Sequence, residues 1–306
     1  MSVPVSTTRF LDFRALWGGG DVVDAQLMQW TGGDDFSNPA KNYVALSPAD
    51  LEGYVYDKDV LIATHGFNNN RTQGIQALSM WAALLGLPNS AAFVGVLWPG
   101  DSESLHALCY PAEPVHAMDT GGRLGRFADG NFRNAASISF ASHSLGARVI
   151  LEAISTMTLP VRRAIVMAGA IDDRCLTSEY KNVPAEVDVI SVLASREDEV
   201  LRWAFPIGDF AAEILGHDHP WWESALGRFG PAELPEHYQA PCQIPSDWGY
   251  GHGDYLRTEP AAPAMIAVPT RIPPPAQPPP TLPKPLNGVA GWQSAWSASV
   301  ASTRFT

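Results

Sequence analysis

The sequence predicts an α/β fold built on a mostly parallel, doubly wound sheet, because buried apolar runs alternate with helical periods. Short, nearly continuous apolar runs are typical of strands covered on both faces of a parallel sheet. They occupy residues 60–66, 92–100, 137–142, 163–170 and 187–195. Between the first two runs, Ile75, Leu78 and Leu85 recur at helical spacing. Gly86 and Pro88 end that predicted helix.

The segments before the first run predict a leading hairpin and a short helix. FLDFRALW (10–17) and VVDAQLMQW (22–30) flank a glycine-rich turn, as the two strands of a hairpin do. Ser47, Pro48 and Asp50 place an N-cap serine, a first-turn proline and an acid in the order that starts a helix.

Two stretches interrupt the alternation of strands and helices inside a predicted single domain of residues 1–259. Residues 101–131 and 203–250 are rich in glycine, proline, histidine and aromatic residues. In an open α/β sheet, connections at the carboxyl ends of strands build the ligand crevice. We therefore expect both stretches to be cap-like insertions or pocket walls.

The last segment, residues 260–306, is a proline-rich tail with a tryptophan-containing end. Residues 260–285 hold 11 of the 26 prolines, which favours polyproline II. Trp292 and Trp296 follow, four residues apart. We expect them to dock on the body of the protein or on a neighbouring chain, which makes a homo-oligomer formed through the tail a prediction.

Composition excludes several classes of function. Apolar residues make up 46% of the chain and charged residues 17%, which fits a well-buried core. The net charge of −12, without a Lys/Arg cluster, excludes a nucleic-acid-binding protein and disfavours an anionic membrane surface. No apolar run reaches the length of a membrane span, and residues 1–20 lack the pattern of an export signal, so we expect a cytoplasmic protein.

The three cysteines, Cys109, Cys175 and Cys242, are scattered without metal-ligand spacing and predict reduced thiols. His217 and His219 are a weak alternative suggestion of a metal site, but they lack a third ligand at suitable spacing. The sequence thus predicts neither a metal nor a cofactor.

Ser144 is the predicted nucleophile. Ser142-His143-Ser144-Leu145-Gly146 follows a strand run and precedes the helical stretch LGARVILEAIS. A sharp strand-to-helix turn lifts the central serine clear of the sheet when the residues two positions away are small, as Ser142 and Gly146 are. The common form has glycine at the first of these positions, and the alternative role for Ser144 is an ordinary helix N-cap.

The loop His65-Gly66-Phe67-Asn68-Asn69 is the predicted source of an oxyanion hole. Acyl transfer needs backbone N–H groups that bind the oxygen of the tetrahedral intermediate. In this architecture one donor belongs to the residue after the nucleophile, Leu145, and the second to a loop after an earlier strand, where Phe67 is the candidate. We expect His65 and Gly66 to support this loop, with His65 orienting it by hydrogen bonds.

The acid of a catalytic triad comes between the nucleophile and the base in this chain order. Asp198 lies just past the strand run 187–195, where a carboxylate can orient an imidazole. Asp172 and Asp173, after the preceding strand run, are the alternatives. A helix N-cap is the structural alternative for Asp198.

The base must come late in the chain. His252 is the last of the eight histidines and lies in a glycine-flanked loop, Gly251-His252-Gly253, that can carry a side chain to the edge of the sheet. The remaining candidates, His217, His219 and His237, lie inside the expected insertion at 203–250. The order Ser144, Asp198, His252 is therefore the predicted triad.

These motifs together resemble the α/β-hydrolase superfamily, in particular a bacterial branch of serine esterases and lipases with HGFNN-type oxyanion loops. The resemblance spans about residues 58–257 and rests on HGFNN, WPGD, SHSLG, AGAIDD and GHGDY in this order. It implies an α/β-hydrolase fold, a triad of Ser144, Asp198 and His252, and hydrolysis of a small-molecule carboxylic ester. The natural ester stays open.

Other readings keep some of these features. An amidase or an acyltransferase would use the same triad, and a non-catalytic hydrolase-fold protein would bind a partner through the proline-rich tail. Tryptophans are candidates for the walls of an acyl pocket, although each of them is equally explained by core packing. These candidates are Trp98, Trp203, Trp221, Trp222 and Trp248.

Overall fold

The computed structural model describes residues 7–17, 20–101, 113–202, 224–238 and 243–256. The chain divides into two units, residues 1–162 and 163–306, and each is described by itself. Strands and helices alternate through both units as the apolar runs predict, and the fold class, a mostly parallel mixed sheet with flanking helices, is confirmed.

The first unit carries six strands of the sheet in the order β3-β2-β1-β5-β4-β6. Strands β1, β5, β4 and β6 run parallel, whereas β1 pairs antiparallel with β2, and β2 with β3, so the predicted leading hairpin is confirmed. The six strands are β1 (Thr8–Arg14), β2 (Val22–Trp30), β3 (Tyr43–Ala45), β4 (Asp59–Thr64), β5 (Ala91–Leu97) and β6 (Ser137–His143).

The helices of the first unit begin and end at the signals in the sequence. Ser47 Oγ accepts the N–H of Asp50 at 3.1 Å and caps the predicted short helix. Asn70 and Gln73 form a reciprocal capping box at the next long helix, which Gly86 ends in a left-handed conformation with φ of 54°. The five helices are α1 (Pro39–Asn42), α2 (Pro48–Val55), α3 (Arg71–Leu85), α4 (Glu113–Asn131) and α5 (Gly146–Thr156).

Helix α4 lies within residues 101–131, a stretch expected from the sequence to be a cap-like insertion or a pocket wall. Residues 113–131 form a 19-residue helix that packs on α5. A Cβ atom on Gly121 would lie 2.6 Å from the Val149 carbonyl oxygen, and one on Gly125 would lie 2.6 Å from that of Ala153. The glycines that weaken the helical signal are therefore the residues that let the two helices approach closely. Residues 102–112, which complete the expected insertion, lie outside the described residues.

The order of the strands places a topological switch point between β4 and β6. From β4 the chain passes through α3 to β5, and from β5 it returns through α4 to β6, which lies on the other side of β4. Since such crossovers are right-handed, the reversal puts α3 on one face of the sheet and α4, with α5 packed on it, on the opposite face. The loops after β4 and β6 thus diverge above neighbouring strands, where open α/β sheets bind ligands.

The second unit continues the alternation. β7 (Val161–Met167) spans the boundary between the units, and β8 (Val187–Ser195) pairs in parallel with the short β9 (Gln243–Ile244). A short helix, α6 (Leu226–Phe229), packs against β8. Three 3₁₀ turns cover Val183–Glu186, Ser246–Trp248 and Asp254–Leu256.

Parts of the sequence predictions fall outside the described residues. Of the expected insertion at 203–250, the structure describes residues 224–238 and 243–250, and the proline-rich tail lies wholly outside. Within the described ranges, no helix is both long and apolar enough to cross a membrane.

Candidate active site

Ser144 sits at a sharp turn between β6 and α5. Its φ is 56°, a left-handed conformation that non-glycine residues seldom adopt, and its side chain is largely buried. The first backbone bond of the next helix, from the N–H of Ala147 to the Ser144 carbonyl, measures 3.0 Å. Strand β6 ends at His143 and helix α5 begins at Gly146, so the turn consists of Ser144 and Leu145. This is the strained elbow that the sequence predicts.

Two glycines make room for the turn. A Cβ on Gly66 would lie 2.7 Å from the Cβ of Ser144, and a Cβ on Gly146 would lie 2.6 Å from the His65 carbonyl oxygen. Neither distance is compatible with a side chain. The loop after β4 and the turn after β6 therefore touch through backbone, as the register of Thr64 beside Ser142 requires.

Each asparagine of the loop after β4 has a separate structural role. Asn68 adopts φ of 60° and makes the tight turn, and its N–H donates to the Gly100 carbonyl at 2.6 Å. The Asn69 side chain donates to the carbonyl oxygens of Gly66 and Phe67, at 3.2 and 3.1 Å. Asn70 caps α3. Sequence reasoning singled out the motif but missed the role of Asn69.

These bonds fix the direction of the Phe67 N–H. The Gly66 carbonyl accepts from the Asn69 amide and from the His65 ring at 2.8 Å. Because the C=O and N–H of a trans peptide point in opposite directions, fixing this carbonyl also fixes the Phe67 N–H on the other side of the plane. The hydrogen bonds of the loop therefore hold the peptide group between Gly66 and Phe67 in one orientation.

His65 holds the loop after β4 through two hydrogen bonds of its ring. It is fully buried, and burial, as the largest cause, lowers the pKa of its imidazole to about 3 from an ordinary 6.5. Nδ1 must carry the proton, since the Gly66 carbonyl only accepts, and Nε2 accepts from the Trp98 backbone N–H at 3.3 Å. The ring also stacks on Trp98 with centroids 5.7 Å apart.

Arg14, at the carboxyl end of β1, ties this loop to the loop after β5. Its fully buried guanidinium donates to the carbonyl oxygens of Asn69 and Trp98 at 3.0 and 2.7 Å and pairs with Asp101. Arg71 donates to the Arg14 carbonyl. Sequence reasoning missed Arg14, although an arginine and an aspartate within a largely apolar strand run are the kind of signal that marks a buried network.

Asp198, in the second unit, is a fully buried carboxylate just past the end of β8. One oxygen accepts the Leu201 N–H at 2.9 Å, so Asp198 caps the turn that follows. The other oxygen lies 2.8 Å from Nδ1 of His252. The sequence offers two interpretations of Asp198, a helix cap and a partner of an imidazole. The carboxylate takes both positions, with one oxygen for each.

His252 is held by the loop that follows the 3₁₀ turn Ser246–Trp248. Ser195, the last residue of β8, donates its hydroxyl to the Tyr250 carbonyl at 2.7 Å. The Gly251 N–H donates to the Asp254 carboxylate at 2.6 Å. The His252 side chain is 17% exposed, and its Nδ1 faces the fully buried carboxylate of Asp198. Sequence reasoning missed the role of Ser195.

The alternative candidates for the acid and the base have other hydrogen-bond partners. Asp172 accepts the N–H of Arg174 at 2.6 Å, and burial, followed by the charge of Asp172, raises the pKa of Asp173. His237 bonds to the carbonyl of Val187 at 2.7 Å, at the first residue of β8 and thus at the opposite end of that strand from Asp198. Asp198 and His252 are the acid and histidine that the second unit brings together.

Of the five tryptophans predicted to line an acyl pocket, the structure describes Trp98 and Trp248. Trp98 is fully buried and its indole donates to the His65 carbonyl at 3.0 Å, so it supports the loop after β4. Trp248 is half-buried beside Tyr250. Contact of either with substrate stays a prediction, and Trp203, Trp221 and Trp222 lie outside the described residues, as do His217 and His219. Among the residues that the structure describes, no cluster of ligands suits a metal ion.

A family of proteins described as alpha/beta hydrolases of unknown function (DUF900) matches residues 53–209, just over half of the 306-residue chain. The chain belongs to this family. The matched range contains the loop after β4, the elbow at Ser144 and Asp198 of this α/β hydrolase, whereas His252 lies beyond it.

Comparisons with individual proteins add little. No curated protein matches this α/β hydrolase. Among solved structures, it is similar to an esterase of Pyrococcus furiosus at 10% identity, over 61% of this chain and 73% of that chain, with a TM-score of 0.29. A likeness this remote bears on neither the site nor the substrate.

Proposed function

We propose that this α/β hydrolase is a serine esterase that cleaves carboxylic esters through an acyl-enzyme on Ser144. The observation that carries the proposal is the buried carboxylate of Asp198, 2.8 Å from Nδ1 of a partly exposed His252. A buried carboxylate that fixes one imidazole nitrogen is the arrangement that prepares a general base. The elbow at Ser144 and the family support the same conclusion.

The tautomer of His252 follows from its partner. A carboxylate accepts hydrogen bonds, so Nδ1 carries the proton and Nε2 keeps the lone pair. In the proposed mechanism Nε2 takes the proton of the Ser144 hydroxyl as its oxygen attacks the ester carbonyl. Asp198 stabilises the imidazolium that forms.

The oxyanion of the tetrahedral intermediate is the second requirement. We assign its donors to the backbone N–H groups of Phe67 and Leu145. The peptide before Phe67 is held by His65 and Asn69, and Leu145 precedes α5, whose amino end carries a partial positive charge. Each such donor contributes about 10²–10³ in rate.

Collapse of the intermediate completes the first half of the reaction. The carbon–oxygen bond to the alcohol breaks, His252 returns the proton to the leaving alkoxide, and the acyl group stays on Ser144. A water molecule, deprotonated by the same imidazole, then attacks the acyl-enzyme and releases the acid. An amine or alcohol in place of water would give an acyltransferase, and an amide in place of the ester an amidase.

The test is hydrolysis of p-nitrophenyl esters with acyl chains of two to twelve carbons by the wild type, Ser144→Ala and Ser142→Ala. Ser142 is the matched control, a buried serine of β6 whose hydroxyl lacks a hydrogen-bond partner among the described residues. We expect Ser144→Ala to lose about 10⁴–10⁶ in kcat and Ser142→Ala to keep wild-type activity. Hydrolysis that survives in Ser144→Ala would contradict the proposal, and a wild type inert to all of the esters and to amides would favour a binding protein.

A further inference from the structure

A second, unassigned cavity lies at the amino ends of the parallel strands, opposite the edge that carries Ser144. It is bounded by the starts of β1 and β5, by Lys58 just before β4, and by the loop after α3. Its volume of about 520 Å³ is within the range of small-molecule sites. Because ligand crevices of open α/β sheets lie at the carboxyl ends of strands, this cavity is separate from the proposed active site.

Tyr54 is the platform of this cavity. Its hydroxyl accepts the Phe93 N–H at 3.0 Å and donates to the Phe93 carbonyl at 3.3 Å. The pairing of β1 with β5 begins only at Arg9 beside Val94, so Tyr54 satisfies the backbone of β5 one residue earlier. The ring is thereby fixed against the end of the sheet.

Two cations share this ring. The guanidinium carbon of Arg9 lies 3.8 Å from the ring centroid and the Lys58 ammonium 4.9 Å from it. Lys58 is held in place by a turn in which Asp57 adopts φ of 53° and donates to the Asn134 carbonyl. The ring attracts each cation, but the two positive charges repel each other, and an anion bound near both would offset that repulsion.

No acidic residue lines the described cavity. Within the described residues neither Arg9 nor Lys58 forms an ion pair, and Nε of Arg9 is buried without a hydrogen-bond partner. In a chain with a net charge of −12, two cations without a carboxylate are unusual. Arginine and lysine together provide the planar fork and the point charge that bind oxyanions.

We propose that this cavity binds the oxyanion of a small organic molecule, a phosphate or a carboxylate, between Arg9 and Lys58. The loop after α3, with Gly86 and Leu87, forms another part of the wall. A cavity of about 520 Å³ is larger than an inorganic anion and leaves room for the body of an organic molecule. The inference does not depend on the esterase proposal.

The test is a titration of the ¹⁵N-labelled full chain with inorganic phosphate, glycerol 3-phosphate and acetate, followed by amide NMR at constant ionic strength in sodium chloride. We expect saturable shifts at the amides of Arg9, Lys58 and Ala91, with a Kd of roughly 1–10 mM for phosphate. Glycerol 3-phosphate should bind several-fold more tightly. Tighter binding of acetate than of phosphate would identify a carboxylate as the ligand group and support the site.

Variants localise the effect. Arg9→Gln and Lys58→Gln should each weaken binding about tenfold, whereas Lys181→Gln, which removes an exposed charge of the second unit, should leave it unchanged. Two separate variants and the wild-type titration keep the test decisive if one variant fails to fold. Shifts that do not saturate with any of the anions, or saturable binding that is unchanged in both Arg9→Gln and Lys58→Gln, would overturn the proposal.

Discussion

The two halves of the proposed catalytic machinery are held in place by different means. In the first unit the elbow at Ser144 is fixed by backbone contacts, two glycines that exclude side chains, and a buried arginine network. In the second unit Asp198 and His252 meet through one hydrogen bond between side chains, with the histidine in a loop. The proposed nucleophile is therefore positioned mainly by backbone packing, whereas the proposed base depends on a hydrogen bond to a buried carboxylate.

Among the residues that hold the two proposed catalytic groups in place, Asp198 of the second half has the largest expected effect. Asp198→Asn keeps the shape of the side chain but removes the negative charge that stabilises imidazolium and can fix the wrong tautomer. We expect kcat for ester hydrolysis to fall about 10⁴-fold, with little change in KM. Steady-state kinetics measures this directly.

Asp172→Asn is its matched control, since Asp172 is the alternative acid. It should leave kcat within a factor of about two, because an amide oxygen still accepts the Arg174 N–H. A larger loss in Asp172→Asn than in Asp198→Asn would move the role of acid to the earlier residue.

The arginine network of the first half predicts a loss of stability. Arg14→Met removes the buried guanidinium that donates to Asp101 and to two backbone carbonyls, so we expect the free energy of unfolding to fall by about 3–5 kcal/mol. Arg123→Met removes an exposed cation that pairs with Asp24 and Asp119 and should cost no more than about 1 kcal/mol. Urea denaturation compares the two variants, and equal losses would mean that the network is not a structural anchor.

Gly66→Ala tests whether packing positions the nucleophile. The added methyl group would meet the Cβ of Ser144, so the loop after β4 must move and the oxyanion donors move with it. We expect kcat to fall about 10²-fold. Gly53→Ala, on α2 with no atom within 4 Å of the added Cβ, should keep full activity and gain up to about 1 kcal/mol of stability. Activity of Gly66→Ala equal to wild type would show that the close approach is not needed.

His65 predicts a pH dependence of stability. Its pKa of about 3 in the folded state lies below the ordinary 6.5, so between these values the unfolded chain binds more protons. The stabilising contribution is complete above pH 6.5 and is lost as the pH falls towards 3, by roughly 1.4 kcal/mol per pH unit. His65→Asn should show a shallower fall when unfolding is measured from pH 7 to 4. Parallel curves would contradict a buried neutral imidazole.

The sequence predicts the backbone-determined features well because their signals are local. The apolar runs, the serine cap at Ser47 and the glycine stop at Gly86 each act within a few residues, and the structure follows them. Helix α4 was not predicted from the sequence, because its glycines lower the local helix propensity. The same glycines allow close contact with α5, which is distant in the sequence.

The side chains that support the proposed site were harder to predict, because their partners are distant in the sequence. Arg14 bonds to carbonyls 55 and 84 residues away, and Ser195 to one 55 residues away, and no local pattern announces such partners. The pair of Asp198 and His252 could be predicted from the sequence only because the expected chain order of the triad limits the candidates. Its proposed action on Ser144 remains the step that experiment must test.

Reaction with a fluorophosphonate, read out by mass spectrometry of the digested protein, tests that step most directly. The account predicts one covalent adduct on the peptide that contains Ser144, formed at least about 10²-fold more slowly in His252→Ala than in the wild type. Labelling of Ser144 at the same rate in His252→Ala, or a folded wild type that stays unlabelled at Ser144, would contradict it.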